Sequence, residues 1–206
     1  MKKSNDKVRL GSFEIESGKV RISDPCYDKD TWCAGTIDNV KKGSWFALTK
    51  EIDGRVGFLI AYSVEYGFTW DKYWDTRTLT KIEVGVDSGQ AGIFDEKYYK
   101  DDKVFAGRTN KSRRYNDVIC PEDIWYSWCC DITLAEPSAG VIPFGCVSSS
   151  GWGDGCYTCS VIKENGKVVA IVIDYGLEDE DEEENCDYEE EERAYADLEE
   201  DAEIGK

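Results

Sequence analysis

Short runs of alternating apolar and polar residues, separated by Gly, Asn and Asp, make up most of the chain before residue 177. A period of two is typical of strands that bury one face. The pattern predicts eight strands, over residues 8–15, 19–22, 45–49, 56–64, 81–86, 141–147, 156–162 and 167–175. We therefore expect a mainly β (β-rich α+β) body, a sandwich or distorted barrel of antiparallel strands with one packed helix.

Two dipeptides between predicted strands are typical of tight turns. Asp53-Gly54 separates the third and fourth strands, and Asn165-Gly166 separates the last two. Both tolerate the positive φ values of a two-residue hairpin turn. The sequence therefore predicts two β-hairpins.

One segment changes from a period of two to helical spacing. Apolar residues recur at helical intervals between residues 120 and 132, after a proline and two acidic residues. Proline suits the first helical position, and acids suit the positive end of the helix dipole. This predicts a helix over residues 121–131. The preceding stretch, 100–116, is expected to be an exposed loop, and no internal repeat is evident.

Negative charge is concentrated at one end of the chain. Residues 177–206 hold 17 of the 43 acidic residues and two basic ones, and therefore 15 of the 18 net negative charges. Residues 1–176 are then nearly neutral and can bury one hydrophobic core. We expect a single β-rich globular domain over 1–176 and an acidic tail over 177–206, disordered or helical on binding.

The tail favours a function in binding over catalysis. It could simply be a solubilising disordered segment. Alternatively, aromatic and aliphatic residues among the acids allow it to order on a basic protein partner, such as a nucleic-acid-binding protein. The residues expected to contact that partner are Glu182, Glu183, Glu184, Tyr188, Glu189, Glu190, Glu191, Glu192 and Tyr195. The protein would then be an inhibitor or regulator, for example a phage antagonist of a bacterial defence complex.

Composition narrows the remaining possibilities. The chain has no histidine, which excludes imidazole-activated hydrolases and His-ligated metals. Nine cysteines without a leader peptide are expected to be reduced thiols in the cytoplasm. No membrane span is predicted, and the body lacks the basic face that direct nucleic-acid binding needs. No catalytic residue or cofactor is predicted, and the oligomeric state is open.

A glycine-rich loop over residues 148–155 is the best candidate for a ligand site. Glycines let a backbone approach a ligand, and successive N–H groups can cradle an anion. The alternative is a strained connection between strands, in which Asp154 caps its own turn. The candidate residues in this loop are Gly151, Trp152, Gly153, Asp154 and Gly155.

Three further aspartates could join that site. Asp24, Asp87 and Asp95 each lie near a predicted strand end, as Asp154 does. If the four met, they could bind Ca²⁺ or Mg²⁺ or perform acid–base chemistry, which makes a ligand-binding protein or carboxylate-based enzyme the alternative function. Turn-forming aspartates are the competing interpretation.

Cysteines and tryptophans favour structural interpretations. Cys156 and Cys159 could form a zinc or redox pair, but three residues apart in a predicted strand they should point to opposite faces and could not share a metal without a turn. Trp70, Tyr73 and Trp74 could stack on bases, but core packing explains them more simply.

Three stretches resemble an uncharacterised bacterial family, known as domain of unknown function 4241. Gly18-Lys19-Val20 leads to Asp24-Pro25, Val86-Asp87-Ser88-Gly89 leads to Phe94-Asp95, and Ser150-Gly151-Trp152-Gly153-Asp154-Gly155-Cys156-Tyr157 precedes a hairpin. The chain departs from the family at Thr158-Cys159, where Pro-Val is common. The Cys- and Trp-rich region 120–130 and the tail also lack counterparts. The resemblance implies a fold and a region of interest, and no reaction.

Overall fold

Eleven strands form two antiparallel sheets in the computed structural model, which describes residues 7–31, 35–71, 81–106 and 123–177. Sheet A contains, in spatial order, β1 (Lys7–Ile15), β4 (Gly43–Ile52), β5 (Arg55–Ser63), β11 (Lys167–Asp174), β10 (Gly155–Glu164) and β6 (Lys81–Val86). Sheet B contains β3 (Gly35–Ile37), β2 (Val20–Ser23), β7 (Gln90–Asp95), β9 (Gly145–Ser149) and β8 (Ala139–Ile142). Neither sheet closes on itself, so the expected fold class is confirmed as a sandwich rather than a barrel.

The main core lies between the two sheets. Trp45, Leu59 and Ile171 from sheet A pack in one cluster with Ile22 and Ile93 from sheet B. All five are fully buried, and side chains of this size each contribute roughly 1.5–3 kcal/mol by leaving water. This inter-sheet cluster holds the sandwich together.

The helix α1 (Ile124–Thr133) covers the other face of sheet B. The Asp123 carboxylate caps its first turn by accepting a hydrogen bond from the Tyr126 N–H at 2.9 Å. Trp125 packs against Phe94 in a second, smaller core. The predicted helix is confirmed within the described residues, where it extends to Thr133; Pro121 and Glu122 lie outside them.

Both predicted hairpins are confirmed. Asp53 and Gly54 have φ values of 52° and 73°, and Asn165 and Gly166 have 51° and 76°. These values define the turn type whose twist matches that of the flanking strands. The hairpins are β4–β5 and β10–β11.

The prediction of one strand over residues 141–147 is wrong. The chain reverses at Pro143-Phe144, which separates β8 from β9, and Ile142 pairs with Gly145. Proline fixes φ near −65° at the first turn position, and Phe144 takes φ 64° at the second, as in a type II turn. Phenylalanine is not a usual residue for that position, so the turn left little signal in the sequence.

Two further strands, β3 and β7, are absent from the sequence-based prediction. Every residue of β7 is buried, because the strand lies between the main core and the helix. A strand that is buried on both faces shows no alternation of polar and apolar residues. The shortness of β3, three residues, explains its omission.

The strand order of sheet A reveals two similar halves. The first half contributes β1, β4 and β5, and the second contributes β6, β10 and β11 in mirrored order. At the junction of β5 with β11, Ile60 pairs with Val172 and Leu59 pairs with Ile173. This pairing is two-fold symmetric, because each strand meets the other at equivalent positions of the repeat. Both hairpins also carry a register shift just before the turn, after Lys50 in one and Ile162 in the other.

Sheet B has the same approximate two-fold symmetry. In its central pair, Ile22 of β2 faces Ile93 of β7. Aligning residues 15–27 with 86–98 on this pair gives identical residues at five of thirteen positions: Ser17/Ser88, Gly18/Gly89, Ile22/Ile93, Asp24/Asp95 and Tyr27/Tyr98. The expectation that the chain has no internal repeat is therefore corrected.

Candidate functional site

Asp24, in the first half of the repeat, is fully buried. Its carboxylate accepts hydrogen bonds from a turn of the second half. Its Oδ2 accepts hydrogen bonds from the backbone N–H groups of Asp87 and Ser88 at 2.9 and 2.7 Å. Its Oδ1 accepts from the Cys26 N–H at 2.8 Å and the Ser88 hydroxyl at 2.6 Å. Since four donors surround the carboxylate, its role is structural.

Asp95 does the same at the other end of the β2–β7 pair. It is also fully buried, and its Oδ2 accepts from the N–H groups of Glu16 and Ser17 at 2.6 and 2.9 Å. Its Oδ1 accepts from the Lys97 N–H at 3.0 Å. Each half therefore supplies the aspartate that holds the other half's turn between its sheet A strand and its sheet B strand.

The four aspartates do not meet, which corrects the expectation of a common site. Asp95 pairs with Val20 at the start of β2, whereas Asp24 follows the end of that strand. Antiparallel neighbours place their corresponding ends at opposite edges of a sheet. The interpretation of Asp24 and Asp95 as turn-forming residues accounts for their contacts.

Asp87 and Asp154 do share a site. They line a cavity of about 470 Å³ at the end of the β6–β10 pair. The described residues that line it are Tyr27, Thr31, Glu83, Gly85, Val86, Asp87, Asp154, Gly155 and Cys156. Glu83 was missed in the sequence, although its position two and four residues before Gly85 and Asp87 places all three on one face of β6.

The charge of this cavity changes the expected ligand. Of the residues that the structure describes in its lining, three are carboxylates and none is lysine or arginine. Carboxylates repel an anion, so this cavity does not favour one. The arrangement favours a cationic group.

The glycine-rich loop forms the edge of the cavity and is fixed from within. The Gly153 carbonyl accepts hydrogen bonds from the Ser150 and Tyr157 hydroxyls at 2.6 and 2.8 Å. Gly151 and Gly153 have φ values of 62° and 96°, which only glycine adopts readily. Of the predicted loop residues, Asp154 and Gly155 line the acidic cavity, and Gly153 anchors the loop.

Trp152 lies at the tip of this loop with 62% of its surface exposed. The Arg55 guanidinium carbon lies 4.7 Å from its ring centroid, within cation–π distance. Arg55 and Gly151 also line a separate cavity of about 210 Å³, together with Glu51 and Glu136. Gly151 and Trp152 therefore do not line the cavity that contains Asp87.

Cys156 and Cys159 have the predicted opposite orientations on their strand. Cys159 is fully buried in the main core, whereas Cys156 is exposed at the cavity, so the two point to opposite faces of β10. Burial raises the pKa of Cys159 to about 12. Within the described ranges, no three Asp, Glu or Cys side chains are arranged to hold a metal ion.

Several predicted features lie partly or wholly outside the described residues. Trp70 lies inside them and packs edge-on against Phe58 and Phe68. Outside lie Tyr73 and Trp74, Lys111, Arg113 and Arg114 of the predicted loop, and all the tail residues expected to contact a partner. In the parts of the chain that are described, no helix has the length and apolar character that a bilayer crossing requires.

The chain folds as a two-sheet β sandwich with an acidic cavity at the end of the β6–β10 pair, beside the glycine-rich loop. Residues 82–173 match a family described as "Protein of unknown function (DUF4241)", and the resemblance is confirmed over that range. The match includes the whole of the 86–95 stretch and most of the 150–175 stretch, and the stretch from Gly18 to Pro25 lies outside it. No curated protein and no solved structure matches the chain.

Proposed function

We propose that this protein is a non-enzymatic binding protein that engages a basic protein partner. The observation that carries the proposal is the cavity of about 470 Å³, whose lining in the described part of the chain includes Glu83, Asp87 and Asp154 and no lysine or arginine. The carboxylates of such a cavity attract and stabilise a positively charged group that enters it. In this proposal it supplies specificity, and the acidic tail supplies attraction.

The charge distribution along the chain supports this division of roles. The 30 residues of the tail hold 15 of the 18 net negative charges. A concentrated charge raises the rate of encounter with an oppositely charged partner and loses this effect as salt is added. A partner that normally binds nucleic acid would suit the tail, which would make this protein its inhibitor or regulator. The proposal places it in the cytoplasm, which agrees with the free thiols at Cys26, Cys129, Cys130, Cys146, Cys156 and Cys159.

The size of the cavity favours a second candidate, a small cationic ligand. Pockets for small molecules commonly have volumes of roughly 300–1,000 Å³, and this cavity of about 470 Å³ lies in that range. A cationic organic molecule fits its carboxylates better than Ca²⁺, which takes roughly six to eight oxygen ligands.

A pull-down from native lysate tests the proposal. The baits are the full chain, a version that ends at Gly176, and both carrying Asp87→Asn with Asp154→Asn, at low and moderate salt. We expect the full chain to capture a protein with a high isoelectric point, the shorter chain to capture less of it, and the double substitution to weaken capture further. The captured protein is then purified and titrated against all four baits. If capture is indifferent to salt, to the tail and to the two aspartates, a basic partner is excluded.

A further inference from the structure

We infer that the acidic cavity accepts a primary ammonium group, carried by a lysine side chain or by a free amine. This inference rests on the proposed function and names the chemistry of the group that enters the cavity. Its basis is the internal repeat: the corresponding place in the first half of the body already holds a lysine ammonium.

The two places share one backbone frame. Glu16 and Ser17 in the first half correspond to Asp87 and Ser88 in the second, and in both pairs the two N–H groups bond to Oδ2 of a buried aspartate. The carbonyl of the following glycine also accepts an N–H from the next connection in each half, at 2.9 and 3.0 Å. Glu16 and Asp87 are therefore equivalent carboxylates.

In the first half the carboxylate is neutralised. Glu16 Oε2 lies 3.1 Å from the Lys97 ammonium and accepts a hydrogen bond from the Tyr98 hydroxyl. The hydrogen bond from Tyr98, followed by the one from Lys97, lowers the pKa of Glu16. The hydrogen bonds to Tyr98 and Glu16 raise the pKa of Lys97. The frame at this end therefore binds an ammonium between a carboxylate and a tyrosine.

Around Asp87, the equivalent of Glu16, a tyrosine is again present and the lysine is replaced. Tyr27 corresponds to Tyr98, because each donates its N–H to the carbonyl of its buried aspartate, at 3.2 and 3.0 Å. Tyr27 lines the cavity with Asp87. The counterpart of Lys97 is Cys26, whose N–H makes the same bond to Oδ1 of its aspartate. Burial, then a hydrogen bond to Asp24, raises the pKa of the Cys26 thiol to about 12, so this residue brings no charge.

A second lysine is replaced on the strand that borders the turn. Gly43 pairs with Ile15 in the first half as Gly155 pairs with Val86 in the second. The residue before that glycine is Lys42 in the first half and Asp154 in the second. Lys97 and Lys42 thus correspond to a thiol and a carboxylate, and a cavity lies beside Asp87. An ammonium that enters it completes the arrangement of the first half.

The geometry of the donors favours ammonium over other cations. An ammonium has three N–H donors around one compact charge, and a carboxylate–tyrosine pair already accepts two of them at Lys97. A planar guanidinium would require a flat, forked arrangement of acceptors.

Titration followed by amide chemical shifts tests the inference in the full chain. The probes are a neutral peptide with one lysine, the same peptide with that lysine acetylated or replaced by arginine, and 1,5-diaminopentane. We expect the lysine peptide to shift the amides of Asp87, Ser88 and Gly155, and acetylation to abolish those shifts. Tighter binding of the peptide assigns the site to a protein side chain, and tighter binding of the diamine assigns it to a free amine.

Three variants make the test specific. Asp87→Asn should weaken binding about fivefold, the size expected for a partly exposed ion pair of about 1 kcal/mol. Cys26→Lys rebuilds the arrangement of the first half and should weaken binding at least as much, since its own ammonium occupies the cavity. Glu16→Gln is the matched control, with the same loss of charge at the equivalent position, and should leave binding within about twofold.

Equal binding of the lysine and acetyl-lysine peptides, or shifts that avoid the cavity, would overturn the inference. Asp87→Asn tests it even if Cys26→Lys fails to fold. If the amine probes fail while the pull-down still depends on Asp87 and Asp154, the ammonium inference alone is lost. If the pull-down is also indifferent to them, to the tail and to salt, the proposed function is lost with it.

Discussion

Replacing the buried Asp24 with asparagine should destabilise the body by removing acceptors from a set of donors that have no alternative. The side chain keeps its shape but loses its charge, and one oxygen becomes an N–H₂ donor. With the remaining oxygen at the Oδ2 position, Asp87 and Ser88 keep their N–H bonds. The Cys26 N–H, now 2.8 Å from a second donor, loses its acceptor, and the Ser88 hydroxyl must reverse.

The magnitude follows from these contacts. A hydrogen bond to a charged group contributes about 1.5–3 kcal/mol, and the other bonds weaken with the loss of charge, so we expect about 3 kcal/mol of lost stability. For a domain of this length, that loss lowers the melting temperature by about 6–12 °C. Asp95→Asn leaves only the Lys97 N–H without its acceptor, and should lower the stability of the body by about 2 kcal/mol.

The two substitutions together also test whether the Asp24 and Asp95 carboxylates stabilise the body independently of each other. Asp24 lies four residues beyond Val20, the partner of Asp95, so the carboxylates are separated by about 13 Å at about 3.3 Å per residue. Sites at this distance usually contribute additively to within about 0.5 kcal/mol. The assay is urea unfolding of both single variants, the double variant and Asp28→Asn, an exposed control that should leave the midpoint unchanged. A loss below about 1 kcal/mol for Asp24→Asn would refute the structural role of its carboxylate.

Three further outcomes follow from the described residues. Gly166→Ala, at φ 76°, should lower stability by about 1 kcal/mol in thermal melts, as should Gly54→Ala at φ 73°; unchanged melting would contradict the turn geometry. Burial raises the pKa of Cys159 to about 12, so its contribution to stability is complete below about pH 8.5 and is lost as pH rises toward 12; a urea midpoint that stays constant over this range would exclude it. Iodoacetamide followed by mass spectrometry should label the exposed Cys156 in the native protein and the buried Cys146 only after unfolding, and simultaneous labelling would contradict their placement.

Elements that are determined by residues adjacent in the sequence could be predicted. Asp53-Gly54 and Asn165-Gly166 specify their turns without help from the rest of the chain, and the acids before Ile124 indicate the start of the helix. The strand β7 could not be predicted by the same reasoning, because burial on both faces removes the alternating pattern. Its position between two cores is a property of the whole fold.

Only part of the candidate site could be predicted from the sequence. Asp87 directly follows β6 and Asp154 directly precedes β10, which pair, and the sequence correctly places both at strand ends. Which strand ends share an edge depends on pairing, so the separation of Asp24 from Asp95 could not be inferred. The repeated Asp-x-x-Tyr at Asp24–Tyr27 and Asp95–Tyr98 is the signal that could have drawn attention to Tyr27.

The two-fold register at the junction of β5 with β11 has a consequence for how this body can vary. A contact in which residue i meets j and j meets i is the geometry of an isologous dimer interface, here formed within one chain. In a homodimer every substitution appears at both ends at once. In a single chain the two ends accept substitutions independently, so one can keep its Lys97–Glu16 ion pair for stability while the other keeps Cys26, Asp87 and an open acidic cavity.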